Sequence, residues 1–127
     1  MIKSEKRPDL YVVLRGLGRC ERLCSKKGIE IPTKIHSFVD DLWAFLKEGI
    51  VKYDLIRVDK YVGKLIVDEQ EAGFLQALVN SYYYALSDLI LFLKDGNDLS
   101  LDAAKEDILE FFRYECGNEY LVSLGGG

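Results

Sequence analysis

The chain has 127 residues, 49% of them hydrophobic and 30% charged, and only two prolines. This length supports one hydrophobic core and is short for two, and the composition is that of a folding chain rather than a disordered one, so one domain spanning residues 1–127 is expected. The net charge of −4 hides an asymmetry: nine Lys/Arg stand against four Asp/Glu in residues 1–34, and eight against seventeen in the rest.

An acidic body repels phosphates and attracts basic partners, so no nucleic-acid partner is expected. The opening "MIKSEKRPDL" has charges but no apolar run of the kind a secretory signal carries. Three cysteines, with Cys20 and Cys24 one helical turn apart and Cys116 distant, suit reduced thiols better than a disulfide framework. Both observations predict a cytoplasmic protein.

In chain order, Pro8 and Asp9 open a pattern with Leu10, Val13, Leu14, Leu17, Cys20 and Cys24 on one side and arginines largely on the other. The spacing predicts an amphipathic helix closed by Gly28. Gly16 and Gly18 each weaken such a helix by about 1 kcal/mol relative to alanine, and they are read as a point where another backbone packs closely.

Ile31 and Pro32 start a second helix with Ile35, Phe38, Val39, Leu42, Phe45 and Leu46 on one stripe, ended by Gly49. The stretch from Ile50 to Val67 fits either a helical or a strand period. Helix is preferred, because a lone hairpin without turn residues has no sheet to join.

Asp68 followed by Glu71 predicts a capping box at the head of the longest helix, about residues 69–94, closed by Gly96. That helix holds three consecutive tyrosines, Tyr82, Tyr83 and Tyr84, which fan over about 200° of arc and cannot share one stripe. Its charges and polar residues exclude a membrane span. Leu75, Leu78, Val79, Tyr82, Leu86, Leu89 and Leu93 form the expected core stripe, and two tyrosines are assigned to the core rim. The third, taken as Tyr83, is assigned to a contact surface.

Ser100 is the expected cap of a final helix whose inner positions are Leu101, Ala104, Ile108, Leu109 and Phe112, with a flexible tail from about residue 118. The result is an all-α, single-domain bundle of about five helices.

No catalytic pattern accompanies these elements. Cys20, Cys24, His36 and Cys116 could form a zinc set in principle, but their spacing matches no zinc module. Counted from Asp95, a calcium loop fails at Leu99 and Ser100, where a ligand and a glycine are required. No cofactor or metal is expected, and the single histidine lacks the context of a nucleophilic triad. The largest one-sign cluster is acidic, and from it Asp98, Asp102, Glu106 and Glu110 are taken as a docking surface for a basic protein.

Residues 14–46, "LRGLGRCERLCSKKGIEIPTKIHSFVDDLWAFL", resemble the opening of helical immunity proteins of bacterial polymorphic-toxin and contact-dependent growth inhibition systems. The elements carrying the likeness are Cys20, Glu21, Arg22 and Leu23, the loop proline Pro32, and the helix end with Trp43 and Leu46. The resemblance implies a small protein without enzymatic activity that binds and neutralises one cognate toxin domain, a basic nuclease being the partner an acidic surface suits. The alternatives are a helical scaffold or adaptor that self-associates as a homodimer, and a small ligand-binding helical subunit.

Overall fold

A computed structural model describes the backbone of residues 7–125 and the side chains of residues 7–114. The chain forms five helices: α1 (Arg7–Lys26), α2 (Thr33–Glu48), α3 (Leu55–Leu65), α4 (Phe74–Asp95) and α5 (Asp98–Gly125). No strand occurs among the described residues, and the fold is an all-α bundle.

The helix ends follow from local chemistry. Gly28, Gly49 and Gly96 take the left-handed backbone, with φ of 77°, 72° and 68°. There a side chain would crowd the following carbonyl, and glycine lets the chain leave each helix while its N–H still caps. Gly49 donates to the Phe45 carbonyl at 2.7 Å and Gly96 to that of Phe92 at 2.7 Å. The ambiguous stretch resolves as α3 because Asp54 accepts from the backbone N–H groups of Ile56 and Arg57 at 3.1 and 3.2 Å, an N-cap that commits the chain to helix.

Two starts differ from the sequence reading. Asp68 does not cap α4; its Oδ1 receives the Gln70 N–H at 2.9 Å in a separate turn, and the helix begins at Phe74. The cause is Asn80. Its Nδ2 donates to the Val67 carbonyl at 2.8 Å and its Oδ1 accepts the Val67 N–H at 3.2 Å, which holds the extended segment after α3 against α4. The chain must then turn back through residues 68–72 before a helix can start. At α5 the cap is Asn97, whose Oδ1 accepts from Leu99 N–H at 2.9 Å, and Ser100 already lies inside the helix. The backbone of α5 continues to Gly125.

α4 is central, packing on α1, α3 and α5. It is buried on nearly all sides over Leu78 to Phe92, so Phe92, placed off the stripe by sequence spacing, is also in the core. Leu75 sits in the first turn, beyond the reach of the core, and is exposed. Along α5 the inner positions are Leu101, Ala104, Ile108 and Phe111. Leu109 is exposed, and Phe112 is only half-buried beneath the Arg19 guanidinium, 4.8 Å from its ring centroid.

The α1 face expected from the sequence is buried throughout. At Gly16 it meets α5, where an added Cβ would stand 2.8 Å from Ile108 Cγ2. Gly18 has no such neighbour; the nearest atom to a Cβ there is an Arg22 nitrogen at 3.8 Å. Only one of the two glycines is therefore a packing point.

Candidate functional site

The central position of α4 decides the fate of its tyrosines. Tyr82 is fully buried and Tyr83 is 4% exposed, whereas Tyr84 is 41% exposed. The assignment of Tyr83 to a contact surface is thus corrected: neighbours on three sides cover both Tyr82 and Tyr83, whose rings meet edge to face at 5.6 Å. Burial raises the Tyr83 phenol above its ordinary pKa, with smaller contributions from Cys24 on α1 and Tyr61 on α3.

Asp98, Asp102, Glu106 and Glu110 are all exposed. They recur every four residues, so they share one line along α5. Charges of one sign at this spacing repel, and Arg113 stands 3.3 Å from Glu110. Lys105 is turned away and bridges to Asp9 of α1 at 3.3 Å.

Beside this line lies a pocket of about 630 Å³ between α4, α5 and the 68–72 turn. Glu69, Asp107 and Glu110 give it acidity, while Tyr84 and Tyr114 supply aromatic surface. Phe74 extends that surface, its ring centroid 6.1 Å from that of Tyr114. Asp107 is the chemically unusual member. Its Oδ2 is buried and finds no donor among the described residues, because its neighbour Asp88 is itself an acceptor. The contact becomes a hydrogen bond only when one of the two carries a proton. Burial, then the Asp88 contact and charge, raise the Asp107 carboxyl to about 8. Sequence spacing revealed the outward carboxylates but not this inward one, which differs from Glu106 by a single position.

A second polar cluster joins three helices. The buried Tyr82 hydroxyl donates to Glu21 Oε1 at 2.6 Å, His36 Nδ1 lies 2.9 Å from Glu21 Oε2, and His36 Nε2 is 3.5 Å from Asp40 Oδ2. The hydrogen bond that His36 donates to Glu21, then the Glu21 charge, raise the His36 pKa; burial opposes weakly, and Asp40 adds to the rise. Carboxylates at both nitrogens stabilise the charged ring, which suits a bridge between α1 and α2 better than a general base.

Cys20 and Cys24 are fully buried on the inner side of α1, and burial pushes the Cys20 thiol well above its usual range. His36 faces outward, so the structure does not bring it to these thiols; the Cys116 side chain lies outside the described residues. Among the described residues no group of three His, Cys, Asp or Glu is arranged to hold a metal. Nor is any helix among them long and apolar enough to cross a membrane. Comparisons with family models, curated proteins and solved structures give no match to this chain.

Proposed function

We propose that this chain is an immunity-type inhibitor: a helical binding protein, without catalysis of its own, that captures one basic toxin domain and occupies the surface the toxin needs. The observation that carries this reading is the continuity of the exposed Asp98, Asp102, Glu106 and Glu110 line with a pocket that combines Glu69, Glu110, Tyr84 and Tyr114. The two parts have different physical roles. A row of like charges steers an oppositely charged partner during encounter. Aromatic side chains beside a concavity give the desolvated anchors that slow dissociation, and their faces attract Lys and Arg. A toxin that binds phosphates presents cations of the kind this face complements.

The test is a surface-binding measurement against a basic toxin domain encoded beside this gene, repeated over a salt series. With the wild type, association should be fast and should slow as salt rises. Asp102→Lys with Glu106→Lys should slow association and flatten its salt dependence, while Tyr84→Ala should mainly raise the dissociation rate. If the charge-reversed protein associates as before, the acidic line is not the docking surface, and if no such domain binds at all, the inhibitor reading is wrong.

A further inference from the structure

On the opposite part of the bundle, a groove of about 480 Å³ separates the start of α2 from α3. Its lining is apolar and aromatic, from Ile35, Tyr53, Val58 and Tyr61, with Lys34 and Arg57 as its charged members. The Lys34 ammonium stands 5.7 Å from the Tyr61 ring centroid. Among the described residues neither Lys34 nor Arg57 forms an ion pair with a carboxylate.

The nearby acids bond to groups other than the Lys34 and Arg57 side-chain heads. Asp54 caps α3 through the Ile56 and Arg57 N–H groups, and Asp59 accepts from Ser87 Oγ of α4 at 2.7 Å. Asp41 holds the Tyr53 hydroxyl, whose pKa it raises first by that hydrogen bond. Among the described residues, the groove's lining thus carries two cations on an apolar floor and no carboxylate, in a protein whose net charge is negative.

From this arrangement we infer that the α2–α3 groove is a binding site for a small apolar anion, an aromatic or short aliphatic carboxylate or sulfonate, with its apolar body on Val58 and Tyr61 and its anionic head between Lys34 and Arg57. The volume lies within the range of small-molecule sites, which pair an apolar lining with a few placed polar groups. Arg57 offers a planar fork that matches the two oxygens of a carboxylate, and Lys34 adds a mobile point charge. The acidic α5 face plays no part, so this site stands or falls separately from the inhibitor reading.

The experiment uses two dyes of similar shape: anilinonaphthalene sulfonate, which is anionic, and N-phenyl-1-naphthylamine, which is neutral. Each is titrated against the wild type and against Lys34→Gln with Arg57→Gln, with amide chemical shifts recorded in parallel. One sulfonate dye should bind per monomer, with shifts centred on Ile35, Val58 and Tyr61. The double substitution should weaken it about tenfold, the size expected for losing a charge-assisted contact, and change the neutral dye by under about twofold. Both cations are exposed, so the variant should fold, and an unaltered melting temperature checks this. Equal affinity for the two dyes, an unchanged affinity in the variant, shifts that map elsewhere, or a groove covered by self-association in sedimentation would each overturn the inference.

Discussion

The hydroxyl of Tyr82 on α4 donates to the Glu21 carboxylate of α1 at 2.6 Å, and this fixes a carboxylate at the base of the His36 bridge. A buried phenol with its proton engaged does not ionise readily: burial, then the Glu21 charge, raise its pKa far above the ordinary value. The same carboxylate raises His36. The chain has one histidine, so a single imidazole signal reports the arrangement in an NMR titration. Glu21→Gln should bring the His36 pKa down toward its ordinary value, and Asp40→Asn should lower it less. Because the folded value is raised, the bridge stabilises fully below the unfolded value near 6.5 and its contribution is lost as pH rises through the folded value. A His36 titration that Glu21→Gln leaves unchanged would rule out the bridge.

Gly16 and Gly18 look alike in sequence and should respond oppositely to alanine. At Gly18 a methyl meets ordinary space, so Gly18→Ala should stabilise by about 0.5–1 kcal/mol through helix propensity. At Gly16 the methyl would press on Ile108, a β-branched residue with little rotamer freedom, and the overpacking cost of about 1–3 kcal/mol should exceed the propensity gain. Urea unfolding of the two variants provides the comparison, and equal stabilisation would show that α1 and α5 can separate without cost.

The acid pair makes a pH prediction of definite sign. Asp107 has a folded-state value raised to about 8, so its neutral form is the one the fold prefers. The stability it contributes is complete below about pH 4 and is lost as pH rises through about 8. Asp107→Asn keeps the shape and cannot ionise, so its melting temperature should fall less than that of the wild type between about pH 5 and pH 9. Asp88→Asn, which supplies an amide donor beside Asp107, should shift the wild-type fall to lower pH. Parallel profiles for all three proteins would exclude a shared proton.

Adjacent phenylalanines on α5 offer a direct test of which side faces inward. Phe111 is fully buried and Phe112 is half-buried beneath Arg19. Phe111→Ala should cost about 3–5 kcal/mol and Leu78→Ala about 2–5 kcal/mol. Phe112→Ala should cost clearly less. Thermal or denaturant unfolding ranks the three, and a larger loss at Phe112 would mean that α5 is rotated about its axis.

What the sequence by itself determined is what local chemistry controls. Helical spacing along Leu10 to Cys24 and Ile35 to Phe45 marks the buried faces, because 3.6-residue periodicity is a property of one helix. Gly28, Gly49 and Gly96 mark helix ends, because the left-handed backbone is inexpensive only without a side chain. The outward line from Asp98 to Glu110 is legible for the same reason. The tertiary structure decided everything that depends on a second element. Which two of Tyr82, Tyr83 and Tyr84 are covered depends on α4 having three neighbours, and the choice of Phe111 over Phe112 on how α5 rests against α1 and α4. The late start of α4 follows from Asn80 reaching back to Val67 across thirteen positions, and the Tyr82, Glu21 and His36 cluster joins residues up to sixty-one positions apart. No periodic pattern encodes such contacts, because each is formed by the relative placement of helices that the chain brings together only on folding.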